Sequence, residues 1–286
     1  MTTNPSKASY ALLNPETPEK IPLVFDSPHS GLELPADFQY AVTIDELKTG
    51  WDAFIDELWS PATTFGAYLL SAKTSRMYID LNRAPTDIDP ALLNEPWPEP
   101  LQPTKYTERG MGLIRRFALP GLAINKKPLS VAEIQHRIKH YYQPYHQQLA
   151  QLLSSLHQAY GGVWHIDCHS MKSRGNAMNI DQNQTRPDII LGNLDGTSAS
   201  PEFTEVIQQA FADLGYSVVL NTPYKGGYLT QCFANPAENK HSIQIEINRE
   251  LYMDEKEFSK NEKFSAFQSD LTKVSACIAN FVKSKL

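Results

Sequence analysis

Two histidines close apolar runs: His29 in Asp26-Ser-Pro-His-Ser-Gly31 and His169 in His165-Ile-Asp-Cys-His169. Each is placed to offer an imidazole nitrogen at the end of a strand. A catalytic zinc site typically takes three protein ligands, imidazoles with or without a carboxylate, and keeps a fourth position open to water. His29, Asp52 and His169 suffice for one Zn2+ per chain, with Asp56, one helical turn beyond Asp52, as a rival carboxylate. A lone histidine after a strand is more often a structural hydrogen-bonding residue, so the constellation carries the argument.

Hydrolysis of an amide also needs a group that takes a proton from water and returns it to the leaving nitrogen. Glu246 lies in Ile243-Gln-Ile-Glu-Ile-Asn248, where strict alternation puts the three isoleucines on one face and Gln244, Glu246 and Asn248 on the other. Glu246 is therefore the candidate base, on a face that lines the site. Arg76, Asn82 and Arg83 supply donors for a substrate carboxylate or a developing oxyanion, because a guanidinium grips a carboxylate bidentately.

These residues need elements to hold them. Ile21–Phe25 reads as a short buried strand delivering the His29 turn, and 45–67 reads as a helix carrying Asp52 and Asp56 on one side. The Thr43-Ile-Asp-Glu46 run before it has the form of a capping box. Further strands are expected at Tyr68–Leu70, Met77–Leu81, Gly162–Cys168, Asp188–Leu191, Tyr216–Leu220 and Ser242–Asn248. Helices are expected at 130–160, interrupted near Pro144, at Pro201–Leu214 and at Glu257–Lys283; the proline-rich 94–100 segment is a loop or lid. Tyr224, Lys225 and Tyr228 sit in a glycine-rich loop able to close over substrate, while Cys168 and Met171 read as packing residues. Alternating strands and helices define an α/β fold in one catalytic domain spanning 1–286, with a polar leader over 1–20.

With 41% hydrophobic and 20% charged residues, the chain has the balance of a globular protein rather than a disordered one. Its net charge of -6 carries no basic cluster, which argues against a nucleic-acid partner. No stretch approaches the roughly 20 apolar residues of a membrane span, and the three scattered cysteines suit a reducing cytoplasm. The partner is then a small-molecule substrate; the oligomeric state is not legible.

Seven ordered motifs, SPHSGLELP (27–35), WDAFIDEL (51–58), SRMYIDLNRAP (75–85), HIDCHSM (165–171), LGNLDG (191–196), NTPYKGGY (221–228) and IEINRELYMDE (245–255), make the chain resemble the N-formylglutamate amidohydrolase family. That family looks related to zinc carboxypeptidases and aspartoacylases. The resemblance implies a three-layer α/β/α fold with a mixed, mostly parallel sheet. It implies zinc on His29 and His169, Glu246 as general base and acid, and Arg76, Asn82 and Arg83 on the substrate. The carboxypeptidase group sets its acidic ligand three residues after the first histidine, which here is Leu32, with Glu33 one step on. The acidic ligand thus comes from elsewhere, Asp52 ahead of Asp56, with Glu33 still open. The implied reaction is hydrolysis of N-formyl-L-glutamate to formate and L-glutamate, the last step of histidine degradation. Alternatives are deacylation of another N-acyl acidic amino acid and a metal-free binding module.

Overall fold

The computed structural model describes residues 8–286; the start of the polar leader lies outside the described residues. Seven strands form the main sheet: β1 Tyr10–Leu13, β2 Leu23–Ser27, β3 Tyr68–Ala72, β4 Val163–Met171, β5 Ile189–Gly192, β6 Val218–Leu220 and β7 Lys240–Asn248. Their order is β1-β3-β2-β4-β7-β5-β6. The central four, β3, β2, β4 and β7, run parallel, while β1 pairs antiparallel at one side and β5 antiparallel to β7 at the other. The sheet is therefore mixed and mostly parallel, as expected. β1 falls within the stretch read only as a polar leader, where four residues give too short a pattern to register.

All nine residues of β4 are buried, as a parallel strand covered on both faces requires. Period-two alternation then sorts them. Trp164, Ile166 and Cys168 join Ile243, Ile245 and Ile247 in one apolar core with the helices Pro201–Ala212 and Phe264–Lys283. His165, Asp167 and His169 turn to the opposite face, along with Gln244 and Glu246. That face is covered by the helix Gln143–Tyr160, whose Tyr145, Leu149, Leu153 and Leu156 pack in a second core with Val24 and Leu70. The result is three layers, with chemistry confined to one side of the sheet.

Ahead of this covering helix, Val131–Arg137 is α-helical and Ile138–Tyr142 is a π turn. Proline lacks an amide donor and its ring crowds the carbonyl four residues back, so the wider turn accommodates Pro144 without ending the helix. The interruption near Pro144 is thus a bulge.

Three expectations need correction. The helix over 45–67 is not continuous: Ile44–Lys48 and Ile55–Trp59 are helical, the chain between them is not, and Ser60–Phe65 is a 3-10 turn. The capping box at Thr43 and Glu46 forms, with both reciprocal hydrogen bonds. Tertiary bonds then override helical periodicity. The Trp51 indole donates to the Ser30 carbonyl at 2.6 Å, the Asp52 amide donates to the His29 carbonyl at 3.1 Å, and Phe54 adopts a left-handed φ of 60°. Met77–Leu81 is not a strand but a buried turn, because the Asp80 carboxylate and its partners dictate the backbone there. The last helix begins at Phe264 rather than 257, since Ser259–Lys260 pairs with Met253–Asp254. Asp254 caps the intervening turn by accepting the amides of Lys256 and Glu257.

Candidate metal and hydrolytic site

β2 ends at Ser27, and the turn at Pro28 and His29 that follows keeps the imidazole buried. Gly31 is needed two residues later, because a Cβ there would run into the Lys73 carbonyl. The broken segment 49–54 swings Asp52 inward to the same point, and β4 presents His169 from the polar face of the sheet. His29, Asp52 and His169 are all buried, and one donor atom from each lies within 4.8 Å of the others. Asp56 sits half-buried on the helix beyond and Glu33 is exposed, so among the described residues neither joins this group. Asp52 and Asp56 do not share a side: the break at 49–54 separates them.

The histidine tautomers follow from what stands behind each ring. His29 Nε2 lies 2.6 Å from Asp80 Oδ1, and His169 Nε2 lies 2.6 Å from Asp167 Oδ1. A carboxylate accepts, so each Nε2 carries the proton and each Nδ1 turns a lone pair forward. The two Nδ1 atoms are 3.0 Å apart, and Asp52 Oδ2 stands 3.1 Å from one and 3.5 Å from the other. Tetrahedral zinc with bonds of about 2.0–2.1 Å separates its donors by about 3.3 Å. The donor set can therefore hold a metal ion.

The electrostatics agree. Burial pushes the His29 imidazole below its ordinary value, and Arg76 adds to this. Burial acts the same way on His169, but the Asp167 carboxylate, with Asp52 and Glu246, overcomes it and raises the group well above the usual range. Burial alone would raise Asp52; hydrogen bonds with His169 and His29 outweigh it and hold the carboxyl well below the usual range. Anions thus call for positive charge at this point, which a proton or a metal cation meets. Arg249 fixes Asp52 from the far side, donating to Oδ1 at 2.9 Å and to Ser170 Oγ at 3.1 Å.

Glu246 is the parallel-ladder partner of His169, so the register of β4 and β7 sets its carboxylate beside the donor cluster. It accepts from Gln244 Nε2 at 2.8 Å, and burial raises its carboxyl, with His169 opposing and Asp52 adding. The group is poised to take up a proton.

These residues line a cleft of about 150 Å³ together with Arg76, Asn82, Arg83, Tyr106, Arg115, Met171, Lys172, Arg186, Tyr224 and Arg249. Arg76 grips Asp80 through Nε and Nη2, with Nη1 3.8 Å from Asp52. Asn82 reaches the cleft with both ends of its amide engaged: Nδ2 toward Asp167 and His169, Oδ1 accepting from the Leu229 amide. Arg83 donates to the carbonyls of Met111 and Asn82 and stacks 4.2 Å over Tyr106.

In the glycine-rich loop, Tyr224 lines the cleft and lies 5.2 Å from the Arg186 guanidinium, whereas Lys225, on the cleft rim, pairs with Asp195 and Tyr228 packs near His146. Cys168 lies in the core, and Met171 borders the cleft. The sequence reading missed Asp80 and Asp167 as orienting carboxylates and gave no role to Arg115, Lys172, Arg186 or Arg249. Asp167 was findable, since it lies two residues before His169 on the same strand face; the arginines come from loops that no periodicity reports.

A mixed α/β sheet carrying a buried His-Asp-His donor set able to hold a metal ion, with a glutamate beside it, is an arrangement suited to a hydrolase. Residues 21–253 match the sequence profile of the N-formylglutamate amidohydrolase family. N-formylglutamate deformylase of Pseudomonas putida is 30% identical over 243 residues, 83% of this chain and 84% of that protein. The deformylase of Pseudomonas aeruginosa PAO1 is 30% identical over 240 residues, 82% and 84% of the two chains. The crystal structure of N-formylglutamate amidohydrolase from Ralstonia eutropha JMP134 superposes with a TM-score of 0.94 at 41% identity, covering 98% of this chain and 100% of that one. The chain belongs to the N-formylglutamate amidohydrolase family.

Proposed function

We propose that this chain hydrolyses N-formyl-L-glutamate to formate and L-glutamate with one zinc ion held by His29, Asp52 and His169. The observation that carries the reading is the convergence of two carboxylate-backed imidazoles and Asp52 on one point beside Glu246. Zinc at such a point supplies Lewis-acid chemistry, polarising the amide carbonyl and acidifying a water.

The chain's own residues do the rest. Glu246 takes a proton from the attacking water and returns it to the leaving amide nitrogen, a role suited to a buried carboxylate with raised proton affinity. Arg76, tethered by Asp80 and leaning toward Asp52, offers its remaining donors to the carbonyl oxygen as charge develops there. Arg83 keeps one terminal nitrogen for a substrate carboxylate. Asn82 acts through Asp167, donating to Oδ2 of the carboxylate that orients His169, rather than by gripping substrate. The small cleft suits an amino-acid derivative better than a longer chain, since sites for drug-sized ligands run to about 300–1,000 Å³. This reading sets the chain at the last step of histidine degradation in the cytoplasm. The free cysteines Cys168, Cys232 and Cys277 support a reducing compartment. No helix among the described residues is long and apolar enough to cross a membrane.

The test is formate release from N-formyl-L-glutamate by metal-stripped protein with and without added zinc, alongside the acetyl and peptidyl derivatives. Zinc should restore release from the formyl substrate in the wild type. In Glu246→Gln, zinc should still bind while turnover falls by at least about 100-fold. Release that ignores zinc, or full turnover by Glu246→Gln, refutes the proposal.

A further inference from the structure

The cations around the cleft divide into those with a carboxylate within 3.0 Å and those without one. Arg76 is held by Asp80, Arg186 by Asp181 and Arg249 by Asp52, each within 3.0 Å. Arg115 differs. It is buried, its Nε has no hydrogen-bond partner, and its nearest carboxylate oxygen, Asp80 Oδ2 at 3.6 Å, is already bound by Arg76. Lys172, also lining the cleft, feels the like charges of Arg249, Arg115 and Arg186, and Glu255, whose carboxylate opposes them, accepts the Ser173 amide at 2.6 Å.

A buried cation without an anion is costly, and such a group persists where a ligand supplies the missing charge. We infer that Arg115 and Lys172 form a seat for the side-chain carboxylate of the substrate, distinct from the Arg83 contact, and so select N-acyl derivatives of acidic amino acids over neutral ones. Burial and the neighbouring Arg76 push the Arg115 guanidinium down to about 9, which still leaves it charged at neutral pH. The local balance points the same way: Arg115 and Lys172 lack the close carboxylate that Arg186 and Arg249 have, so a dianionic ligand fits better than a monoanionic one. Selectivity of this kind arises because the uncharged analogue leaves the two cations unpaired.

This seat rests on the proposed amidohydrolase reading only for the identity of the substrate, and its test is separable from turnover. Binding of L-glutamate and of L-glutamine is measured by calorimetry for the wild type, Arg115→Gln and Lys172→Met. Thermal unfolding confirms that each variant is folded, and Lys172→Met carries the test if Arg115→Gln is not. The wild type should bind L-glutamate at least tenfold more tightly than L-glutamine, and that ratio should collapse toward one in Arg115→Gln and narrow in Lys172→Met. This pattern supports the seat even if no formate is released from any formyl amino acid, a result that would sink the deformylase reading alone. Equal binding of the two amino acids by the wild type, or an unchanged ratio in both variants, overturns the seat even where formate release is normal.

Discussion

Asp80 and Asp167 do the same job on paper, each holding the Nε2 proton of one histidine, yet neutralising them should have different costs. Asp80 is wholly buried among cations: Arg76 donates to Oδ2 at 2.6 and 3.0 Å, His29 lies at 2.6 Å, and Arg115 Nε at 3.6 Å. Asp80→Asn leaves the Arg76 guanidinium without its anion, a loss of about 3–5 kcal/mol for a broken buried pair. Asp167 faces Asp26, its ladder partner on β2, whose carboxyl is raised by burial and by Asp167. Asp167→Asn removes that repulsion while giving up bonds from Asn82 and His169, so its net cost should be about 1 kcal/mol. Both variants lose an orienting partner and should bind zinc about 10–100-fold more weakly. Denaturant unfolding with chelator present isolates the metal-free stability, and competition with a chromophoric chelator gives the affinity. If Asp167→Asn destabilises the stripped protein as much as Asp80→Asn, or if zinc affinity stays within twofold in both, the reasoning from charge environment is wrong.

Asp52→Asn should lower zinc affinity by at least about 100-fold while Asp56→Asn leaves it unchanged; equal effects would reject Asp52 as the ligand. Gly227→Ala places a methyl on the Asn82 amide, so it should disturb Asp167, and His169 through it, and reduce turnover about tenfold or more without weakening binding of L-glutamate. Kinetics and calorimetry check this together, and normal turnover would show that the amide yields freely. Burial, with Arg249 adding and Glu255 opposing, pushes the Lys172 ammonium from 10.5 down to about 8. Between these values the unfolded chain binds more protons than the folded one, so this group's contribution to stability rises with pH across that window. Lys172→Met should therefore be more stable than wild type at pH 7, with the difference shrinking by pH 10; a pH-independent difference contradicts the shift.

Strand content and its polar alternation were legible because β4 and β7 are long enough for period two to show, and Ile243, Ile245 and Ile247 sort cleanly from Gln244 and Glu246. The place where pattern reading failed most, the unbroken helix over 45–67, is where function intrudes. Trp51 and Asp52 bond to the His29 turn instead of to their own helix, and apolar spacing carries no trace of such long-range partners. Met77–Leu81 misled in the same way: five residues with four apolar side chains look like a buried strand, yet Asp80 bonds to His29, Arg76 and the Asn82 amide and bends the chain into a turn. His29 and His169 could be named from sequence, but the direction in which each ring points could not, because Asp80 and Asp167 decide it.

The donors at positions 29, 52 and 169 bear on how the molecule is made. The first two are joined by a backbone hydrogen bond, but the third arrives on β4, which docks beside β2 from about half the chain away. On the ribosome, then, a growing polypeptide presents only a two-point grip on a cation until β4 has emerged and paired. Under the proposed metal reading, ion capture is deferred to a late stage of synthesis, when Asp167 comes into place on the same strand, and a truncated product lacking that strand has no third donor.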